Sequence, residues 1–395
     1  MRFSPFVDRI AGKGAGAWGI HFAALQKQAK GDDVILLTVG DPDQAPPTPM
    51  IEATVAALRR HRTGYARIAG MPEARAAIAE RFQRRTGLAC TAENVVLAPG
   101  AQAGLYCAMQ CLAGPGDEVI IPEPMYATYE AVTGAAGARI VNVKLAPEKG
   151  FHPDLAAIAA AVTPQTRVLF INSPHNPTGA VLTREELEAI CDICRTHDLW
   201  LLSDEVYENF AFARAHICPA TLPGMAERTV VVSSLSKSHA VPGFRLGWVI
   251  GPKALAGHLT NLLLCMTYGG PAFIQDGALV ALTAELPEVA ALHEDYRRRA
   301  ASLSDILVEA PRCRATRPEG GMFVLLDVRG TGLGGEGFAS ALLEREGVAV
   351  LPCDGSGPSA VGHQRISLTA PDARLADAGH RIVRFARQLA QRNEV

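Results

Sequence analysis

Between about Thr48 and Leu264, short apolar runs alternate with helical patterns, and this alternation limits the fold more than any other property of the chain. The runs are Val95-Val96-Leu97, Glu118-Val119-Ile120-Ile121, Arg139-Ile140-Val141-Asn142-Val143, Val168-Leu169-Phe170-Ile171, Leu199-Trp200-Leu201-Leu202, Val230-Val231-Val232 and Trp248-Val249-Ile250. Most are too short and too apolar for anything but strands buried on both faces, as in a parallel sheet covered by helices. Gln102 to Leu112 and Arg184 to His197 carry helical patterns in the gaps. The expected class is α/β, with a mostly parallel sheet sandwiched by helices.

Beyond Pro271 the character changes. Two long helical stretches, Ala272 to Ala284 and Pro287 to Glu309, precede strand-like Met322 to Val328, Val348 to Leu351 and Gln364 to Leu368, and a last helix starts at Pro371. A smaller α+β unit is expected there. The N-terminal segment is expected to contribute to it, because Gly31 to Gly40 reads as an apolar strand ending in the turn Gly40-Asp41-Pro42-Asp43. The expected division is 1–47 for an N-terminal arm and part of the small domain, 48–270 for the large domain and 271–395 for the small one.

Composition removes several function classes. A chain of 395 residues, 48% of them hydrophobic, can bury a large core. Its 38 Lys plus Arg against 40 Asp plus Glu leave a formal charge of −2. Such a balance offers no global attraction to nucleic acid or to an anionic membrane, so neither partner is expected and any anion site must be local. Asp8 and Pro5 interrupt the start, against a secretory signal, and no window approaches the roughly 18–20 apolar residues of a membrane span. A cytoplasmic protein is expected. Nine cysteines without framework spacing are expected to be free thiols. Cys191-Asp192-Ile193-Cys194 lies inside a helical pattern with no second pair, and His175, His239 and the other histidines lack ligand spacing, so no metal site is expected.

The chemistry concentrates after the apolar runs. Lysine is scarce, confined to Lys13, Lys27, Lys30, Lys144, Lys149, Lys237 and Lys253, yet Lys237 stands among small hydroxyl residues in Ser233-Ser234-Leu235-Ser236-Lys237-Ser238-His239. An amine that can lose its proton and form an imine is something Arg cannot supply. Ser234, Ser236 and Arg245 are the donors a phosphate ester would need beside it. Taken alone, the segment also reads as a surface loop. Asp204, in Ser203-Asp204-Glu205-Val206-Tyr207, arrives at a strand's carboxyl end, where open α/β sheets place ligands. A carboxylate there can keep a pyridine nitrogen protonated, with Tyr207 donating to a phenolic oxygen on the same ring; capping the next turn is the plain alternative. The stiff loop Asn172-Ser173-Pro174-His175-Asn176-Pro177-Thr178-Gly179 can hold the Asn176 amide toward the same oxygen. Gly100, Ala101 and Gln102 open a helix with bare backbone N–H groups, a phosphate seat without a Walker or dinucleotide-binding pattern. Tyr126 follows the next strand and can lay its ring on a planar cofactor or simply pack in the core.

In this order the segments resemble the class I and II aminotransferases of fold type I, whose enzymes depend on pyridoxal 5′-phosphate. Gly40-Asp41-Pro42-Asp43, Thr63-Gly64-Tyr65, Gly100-Ala101-Gln102, Asn176-Pro177-Thr178-Gly179, Ser203 to Tyr207, Ser234 to Lys237, Phe244-Arg245-Leu246-Gly247-Trp248 and Arg365-Ile366-Ser367 carry the resemblance over nearly the whole chain. It implies that Lys237 forms the Schiff base and transfers protons, that Asp204 pairs with the pyridine nitrogen, and that Asn176 and Tyr207 meet the phenolic oxygen. Ala101, Gln102, Ser234, Ser236 and Arg245 would bind phosphate, with Tyr65 reaching it from the neighbouring subunit of a homodimer. Arg365 would clamp the substrate α-carboxylate beside the Gly40 backbone, and Trp18 would border the substrate side chain.

Within the family, Glu123 to Val132, Ser234 to Trp248, Phe273 to Asp276 and Gly320 to Phe323 are most similar to bacterial arginine–pyruvate transaminases. The implied reaction is ping-pong transfer from an L-amino acid, with arginine among the candidates, to a 2-oxo acid such as pyruvate. Two places depart from the pattern. The usual Gly-x-x-Phe-Gly is Cys353-Asp354-Gly355-Ser356-Gly357, and Ala17-Trp18-Gly19 offers no acid to a guanidinium. The same cofactor chemistry also serves C–S lyases, amine-oxidising relatives and decarboxylating enzymes. A non-catalytic amino-acid-sensing module would need a DNA-binding unit, and the roughly 30 residues before the first strand hold no basic helix-turn-helix.

Overall fold

The computed structural model describes residues 1–12, 16 and 18–392; Lys13 and Ala17 of the segments above lie outside them. Seven strands form one sheet in the order Val95–Ala98, Gly247–Ile250, Thr229–Ser234, Trp200–Asp204, Thr166–Asn172, Glu118–Glu123 and Arg139–Lys144. Every apolar run picked out in the sequence is in it. All neighbours run parallel except Gly247–Ile250, which is antiparallel to both strands beside it. The link from Thr229–Ser234 holds no crossover helix, only the short turns Leu235–Ser238 and Pro242–Phe244, so the chain doubles back beside the strand it has just left.

Val119, Val168, Phe170, Leu202, Val230 and Val232 pack with the helix Gly100–Leu112 on one face. Ile120, Leu169, Ile171 and Leu201 pack with Leu187, Ile190, Cys191 and Cys194 of the helix Arg184–Thr196 on the other. Each fully buried apolar side chain of this size contributes about 1.5–3 kcal/mol before conformational entropy is subtracted. Cys191 and Cys194 are thus core residues, and burial pushes both thiols up to about 12, away from redox or metal chemistry.

A second sheet has the order Ile35–Leu37, Val348–Pro352, His363–Ser367, Phe323–Asp327 and Arg314–Thr316. The N-terminal strand pairs parallel to Val348–Pro352 but spans three residues rather than the whole of 31–40. Arg314–Thr316 has no apolar run and was not expected. Helix Trp18–Ala29 precedes the first strand, and helix Asp372–Arg392 ends the described chain. No helix among the described residues is long and apolar enough to cross a membrane.

The segment leading into the second sheet is tied back to the first by Glu319. Its backbone N–H donates to Gly179 O at 2.9 Å, and its carboxylate accepts from Val181 N at 2.9 Å and pairs with Arg214. His152 bridges this acid to Glu186, with Nδ1 at 2.8 Å from Glu186 Oε1 and Nε2 at 3.2 Å from Glu319 Oε2. The Glu186 hydrogen bond, with help from both charges, raises His152 above its ordinary 6.5 against burial and Arg214. A raised histidine stabilises the fold fully below its unfolded value, and that contribution disappears as pH climbs through the folded one. Thermal melts at about pH 6 and about pH 8.5 are expected to show a drop in Tm that His152→Gln reduces by a few degrees. An identical drop in both proteins would rule the bridge out as a source of pH-dependent stability.

Candidate active site

The carboxyl ends of five strands meet at one edge of the larger sheet, where the loops that follow them build a cleft. Arg245 joins them from the opposite chain direction. It precedes Gly247–Ile250, and because that strand is reversed its amino end lies at the same edge.

Lys237 sits in the single turn Leu235–Ser238, whose N-cap Ser234 accepts the Ser236 N–H at 3.3 Å. Its Nζ donates to Gly40 O at 2.5 Å. Burial pushes the ammonium down to about 8, Arg365 and Arg245 push the same way, and Asp41 opposes them. An amine so placed is partly neutral near physiological pH, which a nucleophile and proton carrier requires.

Asp204 ends the strand Trp200–Asp204 and is buried. Burial raises its carboxyl to about 6, although the Tyr129 hydroxyl, 2.7 Å from Oδ2, and the Val206 N–H, 3.2 Å from Oδ1, pull it down. Burial also lifts the Tyr207 phenol above its ordinary range while Asn176 hydrogen-bonds to it, so Tyr207 remains a donor. Asn172 ties these loops together: its Nδ2 donates to Asp204 O at 2.9 Å and its Oδ1 accepts Asn176 N at 2.8 Å.

Arg365 projects from the middle strand of the smaller sheet into the same cleft. Nη1 donates to Asn176 Oδ1 at 3.0 Å, Nη2 donates to Thr38 O at 2.8 Å, and the guanidinium lies 4.2 Å from the Phe323 ring centre. The buried Nε has no partner among the described residues. Two donors are therefore spent on orienting the fork, and capacity is left for an anion.

Gly100 has φ +80°, and a Cβ there would lie 2.3 Å from Arg245 Nη2. The glycine lets the guanidinium press against the start of the 13-residue helix Gly100–Leu112, where backbone N–H groups have no intrahelical acceptor. Ala101, Gln102, Ser234, Ser236, Tyr126, Trp18 and Gly40 all line the cleft.

Tyr65 alone among the expected site residues is elsewhere. It is 87% exposed, and its ring lies 5.0 Å from that of Tyr268 rather than in this chain's cleft. Tyr129, Asn172, Thr38 and Phe323 belong to the site but had not been singled out. Away from the cleft, Glu205, Glu208 and His216 bring ligand-type atoms within 4.8 Å of one another. Arg85 already pairs with both acids, at 3.0 Å from Glu205.

The profile described as aminotransferase class I and II matches residues 32–382. The chain is 51% identical over 389 residues to the arginine–pyruvate transaminase of Pseudomonas aeruginosa, covering 98% of this chain and 99% of that protein. It is 36% identical to the aspartate/prephenate aminotransferase of Thermus thermophilus, over 94% of this chain and 95% of the other. The structure of T. thermophilus aspartate aminotransferase with maleate superposes with a TM-score of 0.91 at 35% identity, over 97% of this chain and 100% of that one.

Proposed function

The chain belongs to the class I and II aminotransferase family and is an aminotransferase, and from that premise we propose that its cleft holds pyridoxal 5′-phosphate and transfers the amino group of an L-amino acid, arginine among them, to pyruvate. The observation that carries this reading is the Lys237 amine, held on the Gly40 carbonyl, in one cleft with a buried Asp204 and an arginine fork with a spare donor. Arginine and pyruvate come from the name of the relative with 51% identity.

The donor set fits the coenzyme. Ala101 and Gln102 at the helix start, the hydroxyls of Ser234 and Ser236, and Arg245 suit a phosphate ester. Tyr126 offers a ring face, while Tyr207 and Asn176 suit a phenolic oxygen. Tyr65 points away from its own cleft, in keeping with service to the partner subunit of a homodimer. When bound, pyridoxal 5′-phosphate supplies an aldehyde that takes up the amino group and a ring that delocalises the electrons left at the α-carbon.

The protein's part is to bind, orient and move protons. Arg365, aimed by Thr38 and Asn176, holds the α-carboxylate, with Gly40 and Trp18 beside it. Lys237 Nζ would anchor the coenzyme, and its amine, once free, would serve as the base that takes and returns the substrate α-proton. Asp204 keeps the proton on the ring nitrogen in a site shielded from water.

The test is a half-reaction screen on the loaded protein. Arginine and other L-amino acids are expected to bleach the visible band, and pyruvate to restore it with one equivalent of alanine. A band that no amino acid changes, or ammonia or thiol released without alanine, would overturn the proposal.

A further inference from the structure

Building on the coenzyme reading above, we infer that Tyr129 is a positioning residue: its hydroxyl fixes the Asp204 carboxylate and thereby sets how firmly the ring-nitrogen proton is held. Tyr129 lies in the first turn of the helix Thr128–Ala136. Its Oη donates to Asp204 Oδ2 at 2.7 Å, which leaves Oδ1, engaged among the described residues only by the Val206 N–H at 3.2 Å, with capacity for a further donor.

The tyrosine has little freedom. It is 2% exposed, its ring centre lies 4.2 Å from that of Phe170, and it meets Tyr126 edge-on at 5.7 Å. Burial and the neighbouring carboxylate push its phenol well above the ordinary range, so it serves only as a donor. A site this closely packed has no ready replacement by water, and loss of the hydroxyl leaves a buried carboxylate oxygen unpaired. Asp204 would then favour its neutral acid form and hold the ring proton weakly.

Among the described residues, the charged and titratable groups around this pair are Glu205 just past the strand, Tyr207 on the following turn, Tyr126, and Lys237, Arg245 and Arg365 in the same cleft. Tyr129→Phe removes one oxygen and leaves all of them in place. Phe170→Leu keeps the hydroxyl but loosens its packing.

Three measurements on wild type and both variants decide the matter: coenzyme affinity by equilibrium dialysis, the pH midpoint of the visible band, and melting of the coenzyme-free protein. In Tyr129→Phe, pyridoxal 5′-phosphate is expected to bind about tenfold more weakly, the scale of one hydrogen bond to a charged acceptor. The midpoint is expected to rise by about half a pH unit or more, because a ring with less positive charge repels the proton of the Lys237 linkage less. Melting should stay within a few degrees of wild type. Unchanged affinity and midpoint in Tyr129→Phe, or an equal midpoint shift in Phe170→Leu, would overturn the inference and reduce Tyr129 to packing. A wild-type protein that takes up no coenzyme would overturn the underlying reading, and this inference with it.

Discussion

Lys237→Ala is expected to lose amino transfer by on the order of 10⁴-fold or more while the protein still folds, because it removes both the covalent anchor and the proton carrier. No described neighbour can stand in. Among the described residues the other cations lining the cleft are Arg245 and Arg365, and a guanidinium neither gives up its proton near neutral pH nor forms the imine. The fold should survive because the side chain's one hydrogen bond is to Gly40 O, and the turn that carries it is capped independently by Ser234. Burying an ammonium with so little compensation is itself unfavourable, so truncation at this site need not destabilise. Steady-state alanine production and the visible spectrum check the result together. A variant that keeps its rate within tenfold of wild type would show that another group does the chemistry.

The larger sheet was legible because its strands are buried on both faces, and such strands announce themselves as continuous apolar runs. Val119-Ile120-Ile121 and Val168-Leu169-Phe170-Ile171 have no other stable use. Strand ends were legible too, since Asp204, Asn176 and Lys237 each stand where an apolar run stops. Polar pairing between elements was not. Tyr129 reads locally as one more aromatic on a helix, and only its approach to Asp204, 75 residues away, gives it a role.

Thr38 acts through its carbonyl, which its side chain does not advertise, and Phe323 matters through the guanidinium stacked above it. Arg314–Thr316 is a strand because Phe323–Asp327 offers it a free edge, and its three residues, with Ala315 as the one apolar side chain, are too few to signal a strand by themselves. The change of pattern at Pro271 was visible, but the packing of Ile274, Ala278, Ala281 and Leu282 with Ile78, Val95 and Trp248 was not. That contact joins segments far apart in the chain.

Asp204→Asn separates the electrostatic contribution from the covalent one. The amide is nearly isosteric, and its oxygen can still accept from Tyr129 or the Val206 N–H, so the strand end should keep its geometry. What it cannot do is keep a proton on a pyridine nitrogen. A neutral ring is a poorer electron sink, and loss of a preorganised charge of this kind costs about two to three orders of magnitude in rate. The visible band should remain, since Lys237 is untouched, which distinguishes this variant from Lys237→Ala.

Stability should move the other way. In the coenzyme-free protein burial raises Asp204 to about 6, so its ionised form is disfavoured in the folded state and costs folding free energy above that pH. Removing the charge is therefore expected to leave the Tm of the coenzyme-free variant at about pH 8 equal to or above that of wild type. Activity lost together with a fall in Tm would mean that the substitution damages the fold. A rate within tenfold of wild type with an intact band would mean that ring protonation does not depend on this carboxylate.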